Sequence, residues 1–203
     1  QQDGSQKQYT GYVTDIITKM TIEWLESGRD KDKPFMLMAQ HKVPHRNWSP
    51  ALRHADLWDD VDLPEPATLF DDYTNRHPSL AKQEMSIENN FFYGWDMKFH
   101  GETPHPEYFG SYPNYEYKRM NEAQQKQWDA SYEAENQALL AAIAAGEMTE
   151  DDVTRWKYQR YIKDYLRSIR SLDEGMGEIL EYLDESGLAE NTIVIYSSDQ
   201  GFY

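Results

Sequence analysis

The sequence predicts an α/β fold in which a mostly parallel sheet is flanked by helices and interrupted by a long, loop-rich insert. The prediction rests on a helix followed by a short apolar strand near the start of the chain, and on the same pair near its end. Both strands are apolar on both faces, as in parallel sheets that helices cover. Two helix–strand pairs are parts of a doubly wound sheet, but two strands are too few to form one. We therefore expect the chain to be an internal piece of a larger domain.

The first helix–strand pair occupies residues 10–50. Between residues 10 and 27, apolar side chains recur in steps of three and four, which predicts an amphipathic helix. Gly28 is placed to end this helix. Residues 34–39, Pro-Phe-Met-Leu-Met-Ala, then form a short apolar run that predicts a buried strand.

The second helix–strand pair occupies residues 149–203. Thr149 is a candidate N-cap followed by acidic residues, and the apolar positions after it keep the helical period over most of the segment. A helix of this length would span about 50 Å, so Gly175 is a candidate break. Its charged side chains, such as Lys157, are expected to form a solvated face. Residues 193–196, Ile-Val-Ile-Tyr, predict the second buried strand.

Residues 51–148 differ from both pairs, because proline recurs there and aromatic residues are interleaved with polar ones. A helical pattern runs through residues 121–145. We expect this insert to be a long excursion from the sheet rather than a second domain. Uninterrupted loops of such length are usually functional or disordered.

Composition excludes several classes of protein. The 203 residues carry a formal charge of -16, which argues against binding a nucleic-acid backbone, because that requires basic patches. The sequence has no Cys, so it offers no disulfide framework, zinc finger or thiol nucleophile. No apolar run approaches the 18 residues or so of a membrane-spanning helix.

Polar side chains follow the second predicted strand directly. Asp199 and Gln200 come just beyond its carboxyl end, with Gly201 permitting a tight turn beside them. In open α/β sheets, ligands bind at this edge. Carboxylate and amide oxygens are the ligands that Ca²⁺ or Mg²⁺ prefers. The alternative is an ordinary polar turn after a strand.

Positive charge gathers after the first predicted strand. His41, Lys42, His45 and Arg46 lie within six residues of an otherwise acidic chain. Such cations can hold sulfate or phosphate oxygens and stabilise charge on a leaving group. If the two strands are parallel neighbours, this loop shares an edge with the metal-binding candidates. Two alternatives remain: a polar loop without a ligand, and the two histidines as transition-metal ligands.

Three segments together resemble the type I, formylglycine-dependent sulfatases. These are H-K-V-P-H-R-N-W at 41–48, W-K-Y-Q-R-Y-I-K-D-Y-L-R at 156–167 and I-V-I-Y-S-S-D-Q-G at 193–201. They are most similar to the bacterial branch that desulfates glycans, including N-acetylglucosamine-6-sulfatases and the heparan sulfatases that act on a glycosaminoglycan. The resemblance covers residues 10–50 and 150–203, and extends weakly into the insert.

The resemblance implies an alkaline phosphatase-like fold with a bound Ca²⁺, or Mg²⁺ in its place. The family's metal ligands in the last loop match Asp199 and Gln200. In these enzymes a hydrated formylglycine attacks sulfur, and basic residues assist loss of the alcohol. The resemblance further implies a sulfated carbohydrate as substrate, and a periplasmic or secreted location.

The family's sulfate-binding histidine best matches His45, and next His41. Together with Lys42, these are the candidate catalytic residues. Arg46 is a candidate for contact with substrate carboxylates or sulfates, or alternatively for pairing with a surface acid. Trp48 is a candidate for stacking on a sugar ring, or alternatively for packing of the long insert onto the body of the protein.

The chain departs from the family pattern at the nucleophile. The family carries a C/S-x-P/A-x-R motif near its start, whereas residues 49–53 here, Ser-Pro-Ala-Leu-Arg, fit the bare pattern but follow the His-rich loop. We therefore expect the nucleophile outside this chain, and expect the isolated chain to be inactive. Two alternatives to a sulfatase stay open: a phosphatase or phosphodiesterase of the same superfamily, and a non-catalytic glycan-binding homologue.

Overall fold

A computed structural model describes residues 4–104 and 113–200 of the chain. The described residues form two compact units, one within residues 1–45 and 168–203 and the other within residues 46–167. The α-helices, in chain order, are α1 Val13–Glu23, α2 Ile87–Asn90, α3 Tyr115–Arg119, α4 Glu122–Ala144 and α5 Glu150–Glu185. Short 3₁₀ turns lie at Leu52–His54, Leu80–Lys82 and Leu188–Asn191.

The helix predicted over residues 10–27 is confirmed. It consists of α1 and a π-helical turn, Trp24–Gly28. A Cβ atom at Gly28 would lie 2.7 Å from Cδ1 of Trp24, so a larger residue does not fit at this position. The Trp24 ring meets the Phe35 ring edge-on, with centroids 6.0 Å apart. This contact holds the extended segment after the helix against the end of α1.

The long C-terminal helix is confirmed, and its start is the predicted one. The Asp152 N–H donates to the Thr149 hydroxyl at 3.2 Å, and the Thr149 N–H donates to the Asp152 carboxylate at 3.0 Å. This reciprocal pair satisfies two N–H groups that the helix start would otherwise leave unpaired. The 36 residues of α5 span about 54 Å.

The candidate break at Gly175 is wrong, because α5 continues through it. A Cβ atom at Gly175 would lie 2.4 Å from the Thr18 hydroxyl oxygen. The glycine therefore allows α1 and α5 to approach closely within the first unit. That packing offsets the cost of about 1 kcal/mol that a glycine carries inside a helix.

The two predicted strands are not confirmed. Residues 34–39 and 193–196 have no regular secondary structure, and no β-strand occurs in residues 4–104 and 113–200. Met36 and Ile195 are each 82% exposed, so neither segment is buried as predicted. The physical reason is that a strand needs a neighbour for its backbone N–H and C=O groups. The apolar pattern predicted a strand but could not supply the neighbouring strand.

The second unit contains the predicted insert together with the first half of α5. Its helix α4 confirms the helical pattern at residues 121–145, and begins with a capping box between Asn121 and Gln124. Trp128, Tyr132 and Leu139 of α4 are buried. The insert is therefore a packed part of a compact unit that includes residues 149–167.

The face of α5 that lies in the second unit is buried and charged. Lys157 is 6% exposed, so its assignment to a solvated face is wrong. Its ammonium donates to the Glu88 carbonyl at 2.8 Å and lies 4.6 Å from the centroid of the Tyr93 ring. Arg160 and Arg167 are each 2% exposed and pair with carboxylates. Burial of these charges is tolerated because each has a partner.

Candidate functional site

The His-rich loop turns sharply between Lys42 and His45. The His45 N–H donates to the Lys42 carbonyl at 2.9 Å, which closes a four-residue turn and brings the two Cα atoms within about 7 Å of each other. Both side chains are exposed. The turn thus carries an exposed ammonium and an exposed imidazole, groups that can contact an anion.

His41 lies in a different environment, half-buried against α1. Its Nε2 atom is 3.1 Å from the hydroxyl oxygen of Thr18, which is 1% exposed. Burial lowers the pKa of His41 below its ordinary value of 6.5. The ring is therefore mainly neutral at pH 7. The prediction grouped His41 with the cations of the loop, whereas its surroundings favour a neutral hydrogen-bonding imidazole.

Arg46 forms a bidentate ion pair with Asp96 in the second unit. Its Nε donates to Asp96 Oδ1 at 2.8 Å, and its Nη2 contacts Oδ2 at 2.5 Å. The Asp96 side chain is fully buried and also accepts from the Phe92 N–H at 2.8 Å. The guanidinium carbon lies 5.0–6.0 Å from the centroids of four aromatic rings, those of Trp48, Phe91, Phe92 and Trp95.

One alternative for Arg46 was pairing with a surface acid. Arg46 does pair with an acid, but this acid, Asp96, is buried. The Arg46 side chain is 21% exposed. Contact between Arg46 and substrate stays a prediction.

Trp48 is 2% exposed in the core of the second unit. Its ring stacks on Phe91 with centroids 5.5 Å apart, and meets Tyr161 at 4.7 Å. These contacts match the alternative in which Trp48 serves packing of the insert. Stacking of Trp48 on a sugar ring stays a prediction.

The backbone between Arg46 and Trp48 is held by a buried lysine. Lys98 is fully buried, and its ammonium donates to the Asn47 carbonyl at 2.6 Å and to the Asp96 carbonyl at 2.9 Å. Burial lowers the pKa of Lys98, an effect that the carboxylates of Asp164 and Asp96 oppose. The ammonium therefore ties the Arg46–Asp96 pair to the end of the His-rich loop.

Asp199 and Gln200 lie on the exposed extended segment that follows the second predicted strand. The Ser198 hydroxyl donates to the Gln200 carbonyl at 2.6 Å, while Gly201 lies outside the described residues. Their exposed side-chain oxygens suit a hard cation, but Ca²⁺ takes six to eight oxygen ligands. In the part of the chain that the structure describes, no group of three or more His, Asp or Glu side chains is placed to hold a metal. The two side chains fit part of a calcium shell.

Comparison with known proteins identifies the family. A family model described as sulfatase matches residues 1–203, so the chain belongs to the sulfatase family. This confirms the resemblance that the His-rich loop, the long helix and the last loop predicted.

Two relatives define the match more closely. The N-acetylglucosamine-6-O-sulfatase of Bacteroides thetaiotaomicron is 41% identical over 205 residues, which cover 100% of this chain and 35% of that protein. The chain thus spans about a third of the length of the curated relative. A solved structure of a protein bound to its substrate, D-glucosamine-2-N,6-O-disulfate, aligns with a TM-score of 0.78 and 39% identity. That alignment covers 91% of this chain and 36% of the other.

The comparisons confirm a sulfatase-type fold for the chain, although none of the described residues forms a sheet. None of the described helices has the length and apolarity needed to cross a membrane. Neither relative favours a phosphatase or a non-catalytic homologue.

Sequence reasoning missed two residues that position the candidate site. Thr18 contacts His41 from 23 positions away, and Asp96 pairs with Arg46 from 50 positions away. Helical spacing places Thr18 on the same face of α1 as Thr14 and Thr21, all buried. The spacing of these threonines in the sequence was the available signal, but it does not indicate that Thr18 contacts His41.

Proposed function

We propose that the protein carrying this chain hydrolyses sulfate esters on a sulfated carbohydrate, of the N-acetylglucosamine-6-sulfate class. The observation that supports this most is 41% identity along the whole chain to an N-acetylglucosamine-6-O-sulfatase. The solved relative, 39% identical, binds a glucosamine that carries both N- and 6-O-sulfate. An amino sugar with a 6-O-sulfate is common to both, as in sulfated glycosaminoglycans.

The exposed turn supplies the groups that meet the sulfate. His45 and Lys42 sit at the two ends of one closed turn. From there they can bind sulfate oxygens and stabilise the charge that develops on the leaving alcohol oxygen. His41 is the second histidine of this site. Arg46 and Trp48 are assigned to the sugar side of the substrate.

Asp199 and Gln200 are proposed as calcium ligands, with Mg²⁺ as the alternative ion. Their exposed oxygens provide part of a shell, and the remaining ligands come from other parts of the protein. Bound calcium would supply charge stabilisation for the nucleophile and the sulfate oxygens. The sequence has no Cys. A formylglycine nucleophile is placed in a part of the protein outside these 203 residues, because the serine match to the family motif at residues 49–53 follows the His-rich loop. The isolated chain should therefore be inactive.

The two extended apolar segments are proposed to be strands of a mostly parallel, alkaline phosphatase-like sheet. Support comes from residues 34–39, where Met36 and Met38 are exposed while Phe35 and Leu37 are half-buried. This alternation is the period of a strand with one face already covered. Pairing with neighbouring strands would bury the apolar side chains that are now exposed. A periplasmic or secreted location is proposed from the family resemblance.

The test is a substrate panel for the protein that carries this chain. Matched 6-sulfate and 6-phosphate esters of N-acetylglucosamine should be compared, with released sulfate and phosphate measured by ion chromatography. We expect turnover of the sulfate ester and at least about 100-fold lower kcat/KM for the phosphate ester, a difference of about 2.7 kcal/mol in transition-state binding. Faster hydrolysis of the phosphate ester would replace the proposal with a phosphatase. Sugar binding without turnover of either ester would indicate a non-catalytic homologue.

A further inference from the structure

Thr18 has a single hydroxyl proton, and two acceptors compete for it. The hydroxyl oxygen lies 3.1 Å from the Thr14 carbonyl oxygen and 3.1 Å from His41 Nε2. The bond to the Thr14 carbonyl is buried, and it joins a side chain to the backbone four residues earlier, as is usual for a threonine inside a helix. When the proton goes to Thr14, the Thr18 oxygen can only accept from the imidazole. His41 then carries its proton on Nε2 and keeps a lone pair on Nδ1.

We infer that Thr18 is a positioning residue that fixes His41 as the Nε2–H tautomer, leaving Nδ1 to accept a hydrogen bond from a donor group on the sugar. Among the described residues, Nδ1 has no hydrogen-bond partner of its own. This inference rests on the proposed function for its substrate, but the contact itself does not. The two histidines of the loop then have different roles: His45 contacts the sulfate, and His41 accepts a hydrogen bond from the sugar.

The position of Thr18 is itself fixed by the packing of α1 on α5. Thr18 is 1% exposed, and the site of a Cβ atom at Gly175 is 2.4 Å from its hydroxyl oxygen. Any side chain at Gly175 must therefore displace that oxygen. Rotating the Thr18 side chain away would remove its bond to His41. Within the first unit, a side chain at Gly175 would therefore affect His41 through Thr18.

A weakly basic histidine is useful beside the cationic turn because it can accept a hydrogen bond from the sugar while uncharged. Burial lowers the pKa of His41, so it stays neutral where a lysine or an exposed histidine would bind anions. A neutral acceptor beside a cationic turn discriminates the hydroxyl and amide donors of a sugar from its sulfate. The loop can thus recognise both ends of one sulfated residue.

The first measurement is the tautomer of His41, independent of activity. The protein carrying this chain, labelled with ¹⁵N-histidine, is compared as wild type, T18V and T18S, with H41Q used to assign the signals. We expect the two-bond ¹H–¹⁵N pattern of the Nε2–H tautomer in wild type and T18S, and a tautomer mixture in T18V. An Nδ1–H tautomer in wild type, or an unchanged pattern in T18V, would overturn the inference.

The second measurement is steady-state kinetics on a 6-sulfated N-acetylglucosamine. Losing one neutral hydrogen bond should raise KM about three- to tenfold in T18V and leave kcat within about twofold, whereas T18S should retain the wild-type KM. G175A should behave as T18V, and G177A, whose added Cβ meets nothing within 4 Å, as wild type. An unchanged KM in T18V, or an equal rise in T18S, contradicts the inference. Absence of sulfatase turnover in the wild type refutes the proposed function instead, while the tautomer still decides the contact.

Discussion

Arg46 and Asp96 form a two-point ion pair in which the carboxylate is completely removed from solvent. Asp96 also accepts from the Phe92 N–H, so one buried carboxylate joins the end of the His-rich loop to a segment about 50 residues further along the chain. The orientation of Arg46 is therefore set by the core of the second unit rather than by the loop alone.

Replacing Asp96 by Asn should lower the free energy of unfolding by about 3 kcal/mol, because Arg46 would keep its charge after losing the carboxylate that neutralises it. This is the lower end of the range for buried pairs, since the Arg46 side chain is 21% exposed and can be partly solvated. Urea-induced unfolding of the protein that carries this chain measures the change. As a control, Asp173→Ala removes a carboxylate that is 71% exposed and should change the free energy by less than about 1 kcal/mol. Equal effects of the two substitutions would show that the buried pair contributes no more than a surface one.

Gly175→Ala should destabilise the protein by about 1–3 kcal/mol, since the new methyl group overlaps the Thr18 hydroxyl. Gly177→Ala is a matched control two residues along the same helix, with open space around the added Cβ. It should be neutral or stabilise by up to about 1 kcal/mol, because alanine favours the helix. Thermal unfolding of the two variants side by side tests the close approach of α1 and α5. A destabilisation of the same size at both positions would argue against it.

His41 should titrate below 6.5, its ordinary pKa, because burial disfavours the charged ring. Since the unfolded chain binds the proton more readily, this histidine's contribution to stability is complete above pH 6.5 and decreases as the pH falls through the folded-state pKa. NMR titration gives the pKa directly. In His41→Gln, the fall in unfolding free energy between pH 7 and 5 should be smaller than in wild type. A pKa above 6.5 would mean that the ring is stabilised as a cation.

Asp199→Ala should weaken calcium binding at least tenfold or so, because Ca²⁺ affinity follows the number of charged ligands. Isothermal titration with Ca²⁺ on the protein that carries this chain measures the affinity. Asp184→Ala, an exposed carboxylate near the end of α5, provides a control that should leave the affinity unchanged. Unchanged affinity in Asp199→Ala would remove this residue from the metal shell.

Much of the helical structure could be predicted from the sequence because its signals are local. The α1 periodicity, the Thr149 cap and the α4 pattern each involve residues within one or two turns of each other. The predicted strands are not confirmed, for the opposite reason. An apolar run predicts extended backbone, but pairing depends on another segment, and the described residues supply none.

The candidate site was predictable in its chemistry but not in its environment. The sequence places histidine, lysine and arginine in one loop, yet their surroundings differ because distant residues determine them. Thr18 contacts a half-buried His41 whose pKa is lowered by burial, Asp96 neutralises Arg46, and the core encloses Trp48. Lys157 illustrates the same limit, since its burial depends on a carbonyl 69 positions away.

The exposed turn ending at His45 is proposed to bind the sulfate ester. The decisive measurement is kcat/KM for release of sulfate from a 6-sulfated N-acetylglucosamine in His45→Ala and in His77→Ala. His77 is an exposed histidine of the second unit that bonds only locally, to Ser79. Loss of His45 should lower kcat/KM at least about 100-fold, as for removal of a group that assists proton transfer or charge stabilisation, whereas His77→Ala should match wild type. A His45→Ala enzyme within threefold or so of wild type would contradict the claim.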